Sequence, residues 1–447
     1  MLGVMDVAVV GAGLVGISTA LHLARRGVGV IVYEVAPSLG AGQSGHNSNV
    51  VHSGAFYAPG SLKTAFAMRG REMLEDFIHA NKLPYRHVGK LIVQQKGEAE
   101  RFDELVKRSS ANRVEATVLG SRSALHDFEP LVVGERALWL PSVAVTDFVA
   151  VLAALADEAS LAGAEIEYMS PCVMEGSRLL VNDRDVKPRH VVVAAGVGFN
   201  SLSSGKEWRV IGFKGSYRSV ASPKPERLIY AVPDPRYPFL GVHVTPAIDG
   251  TVTAGPNATM HPPIAAGRAF LLAARNARRG LQELPARFSA GAMQSHVRRY
   301  VPGAVLGLEI VKCGVRAQAV DRRGRYADDF VIVDRPGGTF VANAPSPGAT
   351  ACLAIGEHVA TRVLDSLGGW SACPSSSAWP CCWPGVRAPN GLRPQHRPPP
   401  PAHRRRQPSL LPVRSHTTSP PSTGGSRLRI RPFRSSADRT MGRPRGA

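Results

Sequence analysis

The feature that most constrains this chain is its opening unit, Asp6-Val7-Ala8-Val9-Val10-Gly11-Ala12-Gly13-Leu14-Val15-Gly16, running on to Glu34. Val7 to Val10 is a short apolar, β-branched run of the kind that makes a buried parallel strand. Leu14 to Arg26 is Ala- and Leu-rich and reads as a helix, Gly27 stops it, and Val28 to Tyr33 is a second strand. In such a strand–turn–helix–strand unit Gly11 permits the tight turn, Gly13 lets the backbone approach a pyrophosphate, and Gly16 lets helix and strand pack closely. The helix N-terminus offers free N–H groups and a positive dipole end to the phosphates. Glu34 stands where an acid receives ribose hydroxyls. The plainer alternative, three glycines in an ordinary α/β turn, leaves Glu34 without a role. The motif predicts a bound dinucleotide, with an acid rather than a base at the second strand's end arguing against NADP.

The formal net charge of +20 would ordinarily suggest nucleic acid or an anionic surface. Its location removes that inference. From Ser371 onward there are fourteen Arg, no Lys and one Asp, so thirteen of the twenty charges lie in the last 77 residues. The rest carries 40 basic and 33 acidic residues. That tail is rich in Pro, Arg and Ser, lacks periodicity, and cannot bury a core, which predicts disorder. Its abrupt onset after an apolar helix favours a non-native, out-of-frame extension over a basic arm for nucleic acid. Cys172, Cys313 and Cys352 are scattered and read as small core residues, while the tail cysteines lack zinc-site spacing, so neither a metal nor a disulfide framework is expected. With no secretory segment and no long apolar run, the chain reads as cytoplasmic, without a membrane span.

Beyond Glu34 a loop leads into Ser44-Gly45-His46-Asn47-Ser48-Asn49, followed by His52-Ser53-Gly54 and Tyr57. Small residues here permit close approach to a flat ring, and the polar ones supply donors and acceptors. A helix is expected from about Ser61 to Asn81, strands at Lys90 to Val93, Ala137 to Leu140 and Glu165 to Tyr168, and a helix over Asp147 to Ala162. Val191 to Gly196 is a fully apolar strand ending in small residues, with Gly196 at the crevice of a doubly wound sheet. Residues 209–301 read as a mostly antiparallel region with helices over 270–290. From Ile310 the chain returns to loop and strand, with strands at Val331 to Asp334 and Thr339 to Ala342. A Pro/Gly loop, Asn343 to Thr350, precedes an apolar helix to Leu367.

Several segments together resemble the L-2-hydroxyglutarate oxidase/dehydrogenase family, within the FAD-dependent D-amino-acid-oxidase-like group. They are the Gly11 to Glu34 unit, Ser44-Gly45-His46-Asn47-Ser48 with His52-Ser53-Gly54, Pro59 to Lys63, Gly89-Lys90-Leu91, Phe213 to Tyr217, Val232 to Arg236, Pro238 to His243, Gly255 to Ala258, Gly314 to Gln318 and Asn343 to Thr350. The resemblance covers residues 5 to about 365. Asn49 stands where the family usually has Gly, and the tail has no counterpart.

The resemblance implies FAD and oxidation of the C2 hydroxyl of a small dicarboxylate, L-2-hydroxyglutarate, to 2-oxoglutarate. The fold class it implies is α/β: a discontinuous Rossmann-like FAD-binding domain (1–85, 146–205 and 305–370), a mostly antiparallel α+β substrate domain (86–145 and 206–304), and the disordered basic tail (371–447). The expected cofactor contacts are Gly11, Gly13, Gly16, Glu34, Ser44, His46, Asn47, Ser48, Gly196, Ser346, Gly348, Ala349 and Thr350. The chemistry needs a proton acceptor, for which a neutral imidazole suits, and cations for two carboxylates. His52 and His243 are the base candidates, with His52 slightly preferred for its nearness to the flavin-facing segment. Arg316 is expected on the substrate carboxylate, with Tyr57, Lys63 and Tyr217 as further substrate contacts. Oxygen or a membrane quinone is the expected electron acceptor, the latter implying peripheral docking on the inner membrane. A related FAD amine oxidase of the glycine or sarcosine type is the alternative.

Overall fold

Val7–Val10 is buried at every residue and pairs in parallel with Val30–Tyr33 on one side and His190–Val193 on the other. The computed structural model describes residues 5–203, 205, 207–234, 241–257, 259–261 and 290–368. Around the central strand a six-stranded sheet runs in the order Val331–Arg335, Gly338–Asn343, His190–Val193, Val7–Val10, Val30–Tyr33, Glu165–Glu167. Every pairing is parallel except that of the Val331–Arg335 edge strand. The chain leaves Val7–Val10 toward one side and returns on the other, so the crevice beyond Val10, Tyr33 and Val193 is a topological switch point, where open α/β sheets bind ligands.

Among the described helices, four share one core with this sheet. Leu14–Ala24 packs against Phe148–Leu161 and Cys352–Ser366. Ile17, Leu21, Phe77, Leu152 and Val359 are fully removed from water in the shared core. Each such side chain contributes roughly 1.5–3 kcal/mol by burial. The helix starts read from sequence are true caps. Ser61 Oγ accepts from Thr64 N–H at 3.2 Å before Leu62–Ala80, and Asp147 Oδ1 accepts from Val149 N–H at 2.9 Å before Phe148–Leu161.

A nine-stranded sheet forms the second layer. Its main path is Thr259–His261, Trp208–Ser222, Val252–Gly255, His243–Pro246, Leu228–Ala231, Lys90–Gln94, Arg136–Leu140, Thr117–Leu119. Only the pairing of Leu228–Ala231 with Lys90–Gln94 is parallel. Trp208–Ser222 also pairs along its length with Val305–Asp321 in a long antiparallel ribbon. The local pattern predicts no more than a short β-like run at Val210 to Phe213 here, and loop and strand from Ile310. Gly212, Gly215, Gly307 and Gly314 interrupt the alternation, and cross-strand pairing supplies the regularity the pattern lacks. The expected boundary at 305 puts Val305–Asp321 in the cofactor region, whereas its hydrogen-bonding partner puts it in the second sheet.

Two small sheets complete the layers: an antiparallel meander Cys172–Glu175, Arg178–Val181, Arg184–Val186, and the set Val50–Val51, Ala144–Thr146, Tyr85–His87. Cys313 is exposed rather than a core residue, Cys172 is half-buried, and Cys352 is buried. The expected helices over 270–290 lie outside the described residues, apart from the start of Ala290–Arg298, and so does the tail 371–447. No helix among the described residues is long and apolar enough to cross a membrane.

Candidate active site

A single cleft of about 1470 Å³ runs from the ends of the parallel strands to the inner face of the second sheet. At its first end Gly11 has φ +107°, and a Cβ there would stand 2.7 Å from the carbonyl oxygen of Ala194. A Cβ on Gly16 would stand 1.9 Å from the carbonyl oxygen of Gly11. These positions admit no side chain without moving backbone. Gly13 caps Leu14–Ala24 with no capping side chain of its own. Ser44 Oγ instead accepts from Leu14 N–H at 3.0 Å, which brings its hydroxyl to the positive end of the helix. Glu34 is oriented by two backbone donors, Ala12 N–H to Oε2 at 2.8 Å and Ala36 N–H to Oε1 at 2.9 Å. Each oxygen keeps a lone pair for a further donor.

The loop expected to lie along the cofactor is fastened by its own polar groups. His46 Nδ1–H donates to the Gly42 carbonyl at 2.9 Å, the Asn47 amide donates to Ser44 O at 2.6 Å, and Asn47 Oδ1 accepts from Asn49 N–H at 2.8 Å. Gln43 Oε1 ties the loop to the ribbon by accepting from Ala317 N–H at 3.1 Å. Asn49 has φ +58°, the left-handed region, which accounts for glycine elsewhere in the resembling family and for the tolerance of Asn here. Gly11, Gly13, Glu34, Ser44, His46, Asn47, Ser48 and Gly196 all line the cleft. Gly16 lies behind the turn.

On the opposite wall Ser346, Gly348, Ala349 and Thr350 approach the start of Cys352–Ser366. Thr350 is buried, and its hydroxyl accepts from His52 N–H at 3.1 Å, joining the two segments. Asn343 is spent structurally: its Oδ1 accepts from Ala319 N–H at 2.8 Å and its amide donates to Asp329 O at 2.8 Å.

The far end gathers His52, Tyr57, Lys63, Tyr217, Tyr230, His243 and Arg316. Arg316 comes from the ribbon, opposite Phe213, and His243 from the strand next to Leu228–Ala231. His243 stacks on Tyr230 at 4.1 Å between ring centroids, and its Nδ1 lies 3.1 Å from the Gly241 carbonyl. A carbonyl only accepts, so Nδ1 carries the proton and Nε2 bears the lone pair. That Nε2 is buried without a hydrogen-bond partner among the described residues. Burial pushes His243 down to about 3, the Gly241 carbonyl opposes this, and Lys90 and Arg316 add to it. His52 is held well below its ordinary range by burial first, then by Lys90 and His243.

Arg316 is lowered by burial and favoured by the phenols of Tyr217 and Tyr230, and it stays a cation. Tyr57 is raised by burial and bonds to Ser346. The Lys63 ammonium lies 5.9 Å from the Tyr57 ring centre, lowered by burial against the pull of Asp329 and Asp328. Every residue expected at the site lines the cleft save Gly16. Tyr230 and Lys90 were not anticipated. Tyr230 sits in an apolar run that gives no sign of which side chain faces a cleft. Lys90 opens a strand buried at every residue, and a lone lysine in such a run is the one signal the sequence carried.

The arrangement defines a class: a dinucleotide-binding α/β layer joined by one cleft to a roof bearing a cation, phenols and neutral imidazoles, as suits a flavin oxidoreductase acting on a small anion. The chain belongs to the FAD dependent oxidoreductase family, whose model matches residues 6–362. It is 32% identical over 400 residues to the L-2-hydroxyglutarate dehydrogenase of Salmonella houtenae, spanning 80% of this chain and 93% of that one. It is 30% identical over 412 residues to the mitochondrial L-2-hydroxyglutarate dehydrogenase of Homo sapiens, spanning 80% and 88%. Among solved structures it is similar to the L-alpha-glycerophosphate oxidase of Mycoplasma pneumoniae, in a dithionite-reduced form with FAD bound, at TM-score 0.64 and 21% identity over 80% and 94% of the two chains. Glycine oxidase of Geobacillus kaustophilus gives TM-score 0.62 at 16% identity over 80% and 94%.

The residues present fit FAD. The Gly11–Gly16 turn and helix N-terminus suit a pyrophosphate, Glu34 keeps acceptor capacity for a ribose, and the cleft continues far enough to hold the rest of a dinucleotide beside the His243 end.

Proposed function

We propose that this protein oxidises the C2 hydroxyl of L-2-hydroxyglutarate to 2-oxoglutarate. The observation that carries the reading is the convergence of Arg316, the Tyr217 and Tyr230 phenols, and the Nε2 of His243, which has no partner among the described residues, at the end of the cleft away from Glu34. The names of the relatives agree with it.

Arg316 takes the C1 carboxylate, since a guanidinium holds a carboxylate by two parallel N–H bonds. Lys63 and Tyr57, on the other wall, take the distal carboxylate. His243 accepts the hydroxyl proton at Nε2, and its stack on Tyr230 and bond to Gly241 keep the ring from turning. A dianion in the cleft stabilises the imidazolium and raises His243 toward the neutral range, where it serves as a base. His52 has the opposite arrangement: its Nδ1 faces Lys90 and its Nε2 faces Ser346 Oγ, each at 3.4 Å. It acts as a donor beside the acceptor His243. FAD, when bound, accepts the hydride that leaves C2.

Anaerobic mixing of the yellow holoenzyme with L-2-hydroxyglutarate should bleach its flavin absorbance, and the D-enantiomer, glycine and sarcosine should not. Bleaching by the amines alone would replace this reading with an amine oxidase. The final electron acceptor is oxygen or a quinone at a membrane surface, and reoxidation of bleached enzyme by air-saturated buffer against a soluble quinone separates the two.

A further inference from the structure

Lys90 is fully buried on the Lys90–Gln94 strand and does not line the cleft. It lies behind the wall made by His52, Phe56 and Tyr230. Its Nζ stands 3.4 Å from His52 Nδ1, 4.9 Å from the centre of the Phe56 ring and 4.2 Å from that of Tyr230. Among the described residues no carboxylate lies within ion-pair distance of it, and its strand neighbours Leu140 and Leu228 are apolar. An ammonium without a counter-charge in such a place is unfavourable, and an apolar side chain of equal length would serve the fold better. Its strand is otherwise an ordinary member of the second sheet, and its side-chain hydrogen-bonding contact among the described residues is with His52.

We propose that Lys90 is a positioning residue for the oxidation: its Nζ donates to His52 Nδ1 and so makes His52 present Nε2–H to a carboxylate of the bound substrate. This rests on the reading of the substrate as a dicarboxylate. The neighbouring groups complete the logic. The charged or titratable groups near the pair are His243 from the His243–Pro246 strand, Arg316 from the ribbon, and the phenols of Tyr230 and Tyr57. None is an anion at neutral pH, and the polar atom that faces His52 Nε2, Ser346 Oγ at 3.4 Å, is a neutral hydroxyl that accepts more weakly than a substrate carboxylate.

Burial brings Lys90 down to about 7. Below that pH the ammonium can only donate. Above it the amine can also accept from His52 Nδ1–H, which turns Nε2 into a lone pair facing a carboxylate, a repulsive contact. Substrate affinity should therefore fall as pH rises through neutrality, while the rate of the bound complex changes little.

The test uses FAD-loaded full-length protein. In the unaltered enzyme KM for L-2-hydroxyglutarate should rise about tenfold between pH 6 and pH 9, with kcat moving less than threefold, since a tenfold change corresponds to about 1.4 kcal/mol of binding. Lys90→Met should fold, because it removes a buried charge while keeping the length. It should show the raised KM at every pH, with no inflection near neutrality, and Lys90→Arg should keep a low KM to higher pH. A Lys90→Met profile that matches the unaltered one overturns the proposal. So does glutarate, a dicarboxylate with no hydroxyl to oxidise, if it perturbs the flavin spectrum of the unaltered holoenzyme with the same affinity from pH 6 to pH 9, a measurement that needs no variant. If L-2-hydroxyglutarate fails to bleach the unaltered enzyme, the substrate reading fails first and the proposal falls with it.

Discussion

His243 lies almost flat on Tyr230, 16° from parallel, with its Nδ1–H given to the Gly241 carbonyl and its Nε2 left without a partner among the described residues. A buried acceptor with no donor is unfavourable by roughly 1–3 kcal/mol. It is retained where a ligand supplies the donor, and a substrate hydroxyl is such a donor. His243→Asn keeps a polar group but loses a proton acceptor of imidazole basicity. The rate of flavin bleaching at saturating L-2-hydroxyglutarate should fall by about 10²–10⁴, the range usual for loss of a general base. His52→Asn should act mainly on KM. If instead the bleaching rate collapses in His52→Asn and survives in His243→Asn, the two roles are exchanged.

Arg316 is favoured as a cation by the phenols of Tyr217 and Tyr230. Arg316→Lys keeps the charge and loses the planar fork, so KM should rise by about tenfold. Arg316→Gln should raise it by about 10²–10³, since truncating one partner of a charge pair costs 2–5 kcal/mol with each 1.4 kcal/mol worth a factor of ten. Steady-state kinetics on both variants, with flavin content measured first, separate this from cofactor loss. An Arg316→Gln enzyme with unchanged KM removes Arg316 from the substrate site.

At the other end of the cleft the expectation concerns the cofactor alone. Glu34→Ala removes an acceptor of ribose hydroxyls and also releases Ala12 N–H and Ala36 N–H. Bonds to a charged group are worth about 1.5–3 kcal/mol, so FAD should dissociate about 10–100 times more readily. Gly16→Ala places a methyl 1.9 Å from the Gly11 carbonyl oxygen and should yield colourless protein, if it folds at all. Flavin fluorescence released on dilution measures the first, and absorbance of the purified protein the second.

How far the sequence carried the reading depends on where each residue's signal resides. The cofactor layer was legible because its information is local. Val7–Val10, Leu14–Ala24 and Val30–Tyr33 follow from adjacent residues, and Gly16 is demanded by a contact within the same unit, although Gly11 meets Ala194 from a distant part of the chain. The roof was less legible because its information is not local. Val305–Asp321 is a strand by virtue of Trp208–Ser222, nearly a hundred residues earlier. His52 and His243 stand out as residue types, but the contact of His52 Nδ1 with Lys90 Nζ joins positions 38 residues apart, which only folding brings together. Asn343 was placed at the start of a cofactor loop, yet its amide is occupied in joining Ala319 to Asp329, a use that no spacing reveals.

The buried histidines also set the response to acid. His22 is lowered to about 4 chiefly by burial, His243 to about 3, and His52 lies well below its ordinary value. In each the folded pKa is depressed below the unfolded value of about 6.5, so between these limits the unfolded chain binds more protons than the folded one. Stability is therefore fully present above pH ~6.5 and is lost as pH falls toward the folded values, at up to about 1.4 kcal/mol per pH unit for each group. Lys90, lowered to about 7, is protonated in both states over most of this window and adds little to the slope. The midpoint of urea unfolding, followed by tryptophan fluorescence, should drop steeply from pH 6.5 to 4.5. His22 is remote from the cleft, and its Nε2 has no partner among the described residues. His22→Leu should therefore lessen that drop, by up to about 1.4 kcal/mol per pH unit, without altering flavin bleaching. An unchanged slope in His22→Leu would mean that His22 takes up its proton in the folded protein as readily as in the unfolded chain.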